Sequence, residues 1–115
     1  MEPAVTDPIA EIEVVFVYPD GREVDGRIAI GKPVQEPERA GCPIEIVGLT
    51  TPVGSVYGAD TMQALVAALQ HIAWELHAFI EHGGRILDPD GDDANVGSIF
   101  GRLFAPTPDV PDDER

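Results

Sequence analysis

One run of this chain admits a single backbone reading. Between residues 60 and 82, Met62, Leu65, Val66, Leu69, Ile72, Ala73, Leu76, Phe79 and Ile80 recur three and four residues apart, which is the spacing of one face of an α-helix. Asp60 stands where an N-cap accepts hydrogen bonds from free amides, and Gln63 is placed to reach back as the other half of a capping box. Gly83-Gly84 ends the run, since glycine tolerates the left-handed conformation that closes a helix. At 1.5 Å per residue such a helix is roughly 34 Å long, enough to cross a four-stranded sheet.

The opposite face is less ordinary. At 100° per residue it carries Ala64, Ala67, Ala68, His71, Trp74 and Ala78, with only Glu75 and His82 as ionisable neighbours, whereas a face that meets only water carries more charge. Small residues around a tryptophan predict a second contact surface. Within the chain, the candidate cover is residues 96–104, where Val96, Ile99, Phe100, Leu103 and Phe104 repeat at helical spacing. Gly97 and Gly101 each cost a helix interior about 1 kcal/mol, so a short, marginal helix in need of a surface is expected. Between chains, the candidate is the same face of a second molecule. The expected interface residues are therefore Ala67, Ala68, His71, Trp74, Ala78, Ile99, Phe100, Leu103 and Phe104.

Strands precede the helix. Ile12, Val14, Phe16 and Tyr18 alternate with Glu11 and Glu13, as a half-buried strand requires. Tyr18-Pro19-Asp20-Gly21 offers proline and a conformationally free glycine for a hairpin turn. The second strand, about 22–30, points Val24, Ile28 and Ile30 inward and Glu23, Asp25 and Arg27 outward. Residues 31–41, with Pro33 and Pro37, read as a loop. Two further strands are expected, at 42–49 and 53–57. The predicted architecture is α+β: a four-stranded antiparallel meander under one long amphipathic helix, with a short C-terminal helix after it.

A chain of 115 residues, 43% hydrophobic, supports one core. The expected division is a single domain over 1–104 and a disordered, acidic, proline-rich tail over 105–115. Acidic side chains number 21 against 7 basic ones, a formal charge of −14. Nucleic acid is thereby an unfavoured ligand, because phosphate affinity comes from basic patches. The same field steers basic proteins inward, although a general acidic, arginine-over-lysine composition would produce it without any function. No apolar run approaches the roughly 18 residues of a membrane span, and the start lacks a secretory pattern, so the cytoplasm is the expected compartment. The one cysteine, Cys42, reads as a small buried thiol.

Chemistry-bearing motifs are sparse. Asp88-Pro89-Asp90-Gly91-Asp92-Asp93 spaces its carboxylates like the start of a calcium loop, but Asp93 stands where that loop needs glycine and Ile99 where it needs glutamate. A solvated acidic turn fits better. His71, His77 and His82 are separated by six and five residues, not the three or four that put two zinc ligands on one helix face. His71 and Glu75 stand within reach of each other, yet an ordinary surface contact explains them. No nucleophile elbow or phosphate-binding loop is found. The expectation is no catalysis, no metal and no cofactor.

The run Tyr57-Gly58-Ala59-Asp60-Thr61-Met62-Gln63-Ala64-Leu65 follows a Tyr-Gly-x-Asp-x-x-Gln-Ala-Leu pattern, preceded by Asp20-Gly21-Arg22, Gly31-Lys32-Pro33 and Cys42-Pro43. In that order these resemble a family of small uncharacterised bacterial domains over about residues 9–82. The resemblance implies the layout and no site residues. It breaks after the helix, where this chain carries its own acidic loop and tail. The functional expectation is a protein-binding module, of the immunity or regulatory kind, that offers acid to a basic protein. The alternative is a homodimer joined through the Trp74 face, and an enzyme or calcium-binding domain ranks below both.

Overall fold

The computed structural model describes residues 5, 7–49, 54–94 and 99. They form an α+β fold, one antiparallel sheet with one helix across it. The sheet has six strands rather than the four expected: β1 (Ala10–Val17), β2 (Glu23–Ile30), β3 (Val34–Gln35), β4 (Ala40–Val47), β5 (Gly54–Gly58) and β6 (Arg85–Leu87). Their order is β3-β4-β2-β1-β6, with β5 also paired to β4. Ile44 pairs with Ile30 of β2 and with Gly54 of β5, so those two strands hold opposite edges of β4.

Both added strands are short and held by tertiary context. Two residues of β3 pair with Gly41 and Ala40 inside the proline-rich stretch read as loop. Ile86 of β6 pairs with Phe16, extending the sheet beyond β1 once the helix has returned the chain there. Residues 50–53 between the third and fourth expected strands, most of the expected C-terminal helix and the expected tail lie outside the described residues. Ile99 is described, in helical conformation and packed against the core.

The first hairpin closes as its residues dictate. Gly21 N–H donates to the Tyr18 carbonyl at 2.8 Å, and Gly21 takes φ +90°, a conformation costly for any side chain. The helix α1 (Thr61–Glu81) starts at Asp60, whose carboxylate accepts from Gln63 N–H at 2.8 Å. Gln63 Oε1 accepts in turn from Ala59 N–H at 2.9 Å, one residue earlier than in the usual capping box. At the other end Gly83 N–H reaches the Ile80 carbonyl and Gly84 N–H the Phe79 carbonyl, the paired bonds of a Schellman close.

α1 packs on β4 and β5 with most of the stripe the periodicity predicts, since Ile72, Ala73 and Leu76 are buried and Leu65, Leu69, Phe79 and Ile80 pack against the core, but the stripe is shifted at the start of the helix. Ala64, Ala68, Ile72, Ala73 and Leu76 are its buried residues, while Met62 is 69% and Val66 40% exposed. Ala64 and Ala68, expected on the outer face, lie against the sheet. The cause is close approach: a Cβ on Gly58 at the end of β5 would stand 2.6 Å from Ala64 N, and so short a separation admits alanines where larger side chains would collide. Below them Phe16, Ile72, Leu76, Ile86 and Cys42 form the fully buried centre.

Candidate functional site

Two surfaces carry unused chemistry, one on each layer. The first is the outer crest of α1. Trp74 is 67% exposed, with Ala67, His71 and Ala78 half-buried on the same stripe. His71 Nε2 lies 3.6 Å from Glu75 Oε2, an i,i+4 contact at the surface of the kind that helix geometry supplies by default. His77 is turned inward, and its Nε2 is buried without a hydrogen-bond partner among the described residues.

Of the other expected interface residues, Ala68 is wholly buried against the sheet and cannot meet a partner. Ile99 is on the far flank of the helix, lining an apolar groove with Ile12, Ile28, Ile30 and Leu69. At the one described residue of segment 96–104, then, the expected intrachain cover goes to the groove and not to Trp74. Phe100, Leu103 and Phe104 lie outside the described residues.

The second surface is the sheet face turned away from α1. Alternation puts Glu13, Val15 and Val17 of β1 there, with Glu23, Asp25 and Arg27 of β2 and Glu45 and Val47 of β4. Arg27 Nε meets Glu11 Oε1 at 2.6 Å and its Nη1 meets Glu45 Oε1 at 2.8 Å. The hydrogen bond to Glu11 is the main cause holding the Arg27 pKa above its ordinary value. Glu45 is 8% exposed, so one carboxylate of this pair is largely out of water. Sequence alternation places Glu45 outward but gives no sign of that burial, beside a cation one strand away.

Next to this pair lies a cleft of about 450 Å³ lined by Glu13, Val15, Asp25, Arg27, Val47 and Pro89. Glu13 sits opposite Arg27 in the β1–β2 register and Asp25 opposite Val15, which makes the two carboxylates diagonal neighbours. Among the described residues no ion pair engages either of them, and each described arginine is engaged elsewhere. Arg27 is held as above, Arg85 by Asp93 at 2.9 Å, Arg39 by Glu36 and the Tyr57 ring, and Arg22 by the Tyr18 ring.

Pro89 belongs to the acidic turn. Asp88 Oδ1 accepts from the amides of Asp90 and Asp92 at 2.9 and 3.0 Å, and the Ala94 amide bonds the Ile86 carbonyl. The run that resembles a calcium loop is here a backbone-bonded turn that walls the cleft. No group of three or more potential metal ligands occurs among the described residues, and no helix among them is long and apolar enough to cross a membrane.

Residues 13–99 match the family model described as domain of unknown function DUF6968, and the chain belongs to that family. No curated protein and no solved structure matches it.

Proposed function

We propose that this domain is a protein-binding module that does no chemistry of its own and takes a basic partner on the open face of its sheet. The cleft beside Glu13 and Asp25 supports this most directly. It offers two carboxylates that no ion pair engages among the described residues, above the apolar floor of Val15, Val47 and Pro89, while Arg27 at its edge is held by Glu11 and Glu45. An arginine or lysine side chain suits that combination, since it lays an aliphatic stem on apolar surface while its charged head meets carboxylates. The chain's formal charge of −14 supplies steering toward such a partner. An inhibitory or regulatory role follows if the partner's basic site is its working site.

The test is capture from the native host with full-length wild type and with a Glu13→Gln/Asp25→Asn variant, identified by mass spectrometry. A basic protein retained by the wild type, released by moderate salt and lost with the variant supports the reading. Equal capture by both overturns it.

A further inference from the structure

We propose that the basic partner binds by strand addition, a mode that rests on the cleft reading above. An extended segment of the partner lies antiparallel along the outer edge of β1 and sends alternate side chains into the acidic cleft and the apolar groove.

β1 has more edge than its outer neighbour covers. β2 pairs with it from Ala10 to Val17, whereas β6 meets only Val15, Phe16 and Val17. Beyond Leu87 the chain turns back, Leu87 bridging to Asp93, and so leaves the rest of that edge. Tyr18 N–H donates to the Arg22 carbonyl at 2.8 Å in the β1–β2 register. Antiparallel alternation then turns the backbone groups of even-numbered β1 residues toward β2 and those of odd-numbered ones away. Val15 and Val17 are met by Leu87 and Arg85. Glu11 and Glu13 are left with N–H and C=O groups that no strand among the described residues meets, in a stretch, residues 11–13, that is exposed. Such an edge is a template for another strand.

Cavities of opposite character flank this edge on the two faces of the sheet. On the helix side Ile12, Ile28, Ile30, Leu69 and Ile99 line the groove, of about 360 Å³. On the other side Glu13 and Asp25 line the cleft. Strand side chains alternate between faces, and residues directly opposite each other share one. A partner residue opposite Glu13 therefore enters the cleft, and one opposite Ile12 enters the groove. The residue opposite Glu11 meets a carboxylate already held by Arg27, so a neutral polar side chain suffices there. The next, opposite Ala10, turns to the groove again. From the segment's N-terminus, the order that fits is basic, apolar, polar, apolar.

Charge selects this occupant over the alternatives. A second copy docked edge to edge about Ile12 would set Glu11 of each copy opposite Glu13 of the other, and like charges directly opposite are destabilising. The chain's own end, with Asp109, Asp112, Asp113 and Glu114 against Arg115, has the wrong sign for the cleft.

Peptide titrations on the full chain test this, followed by amide chemical shifts and by the anisotropy of a labelled peptide. The probes are a capped Lys-Val-Thr-Val-Thr and, with composition kept and alternation broken, Lys-Thr-Thr-Val-Val. The alternating peptide should bind and shift the amides of residues 10–13. The broken order should bind about tenfold more weakly, because one valine leaves the groove side. N-methylation of the lysine and first threonine, whose amides face β1, should weaken binding about tenfold by removing two hydrogen bonds. N-methylation of the first valine, whose amide faces away, should not. Equal affinity for the two orders overturns strand addition, and the cleft reading then survives if Glu13→Gln/Asp25→Asn abolishes both. Equal affinity for the two N-methylated forms, or no binding by the alternating peptide, overturns strand addition as well, while capture of a basic protein through the cleft would be unaffected.

Discussion

The ring of Phe16 occupies the space that a side chain on Gly26 would need: a Cβ there would stand 2.4 Å from Phe16 Cε2 and 2.7 Å from the Val47 carbonyl oxygen. Phe16 crosses from β1 over β2 at that point and meets Phe79 of α1 edge-on, with centroids 5.4 Å apart. One glycine thereby lets a single aromatic tie three elements together.

Gly26→Ala should accordingly destabilise the fold by about 1–3 kcal/mol, the range for forcing extra volume into a packed interior. Its backbone contact cannot be relieved by a rotamer change. Chemical denaturation measures the loss. A cost under about 0.5 kcal/mol would mean that Phe16 finds another position easily.

Leu76→Ala should cost about 2–5 kcal/mol, because Leu76 is wholly buried and its truncation leaves a cavity. Met62→Ala, on the stripe the periodicity also points inward, should cost less than about 0.5 kcal/mol, since Met62 is 69% exposed and surface changes are near neutral. Thermal melts of the pair decide which helix face meets the sheet. Equal costs would restore the face read from periodicity.

That contrast marks where sequence legibility stops. Helix, caps and first hairpin are local, set by Asp60, Gln63, Gly83 and Gly21, and all are readable. The burial of Ile72, Ala73 and Leu76 is readable too, but the first turns of α1 are not: periodicity weights large side chains such as Met62 and Val66, whereas the close approach near Gly58 selects Ala64 and Ala68. Three residues, Arg85, Ile86 and Leu87, are too few for alternation to show, and only the return of the helix makes them a strand. The exposure of Trp74 is readable as an odd helix face, while the cleft requires Glu13, Asp25 and Pro89 from three separate segments.

Cys42 should resist thiol reagents until the protein unfolds. It is fully buried, with Sγ 3.5 Å from the Gly31 carbonyl, and burial raises its pKa. A raised folded pKa gives stability that is complete below the unfolded thiol's value of about 8.5 and is lost as pH rises toward the folded one. The alkaline decline in melting temperature should therefore be shallower in Cys42→Ala than in wild type. Rapid labelling of the native protein would show the strand opening without global unfolding.

Arg27 and Glu45 should behave as a unit. Removing the cation leaves a carboxylate that is 8% exposed without its partner, and an unpaired buried charge is more costly than the pair is favourable. The Arg27 side chain is itself 31% exposed, so water offsets part of that cost, and Arg27→Met should lower the melting temperature measurably but by less than loss of a core side chain. Glu11→Gln, at the solvent end of the same arginine, should change stability by less than about 1 kcal/mol. The double variant Arg27→Met/Glu45→Leu should recover most of the single loss, because two apolar side chains replace two charges in the same space. A four-way denaturation cycle measures the coupling. If the double variant loses the sum of its single losses, the two side chains act independently, and the burial of Glu45 has a cause other than Arg27.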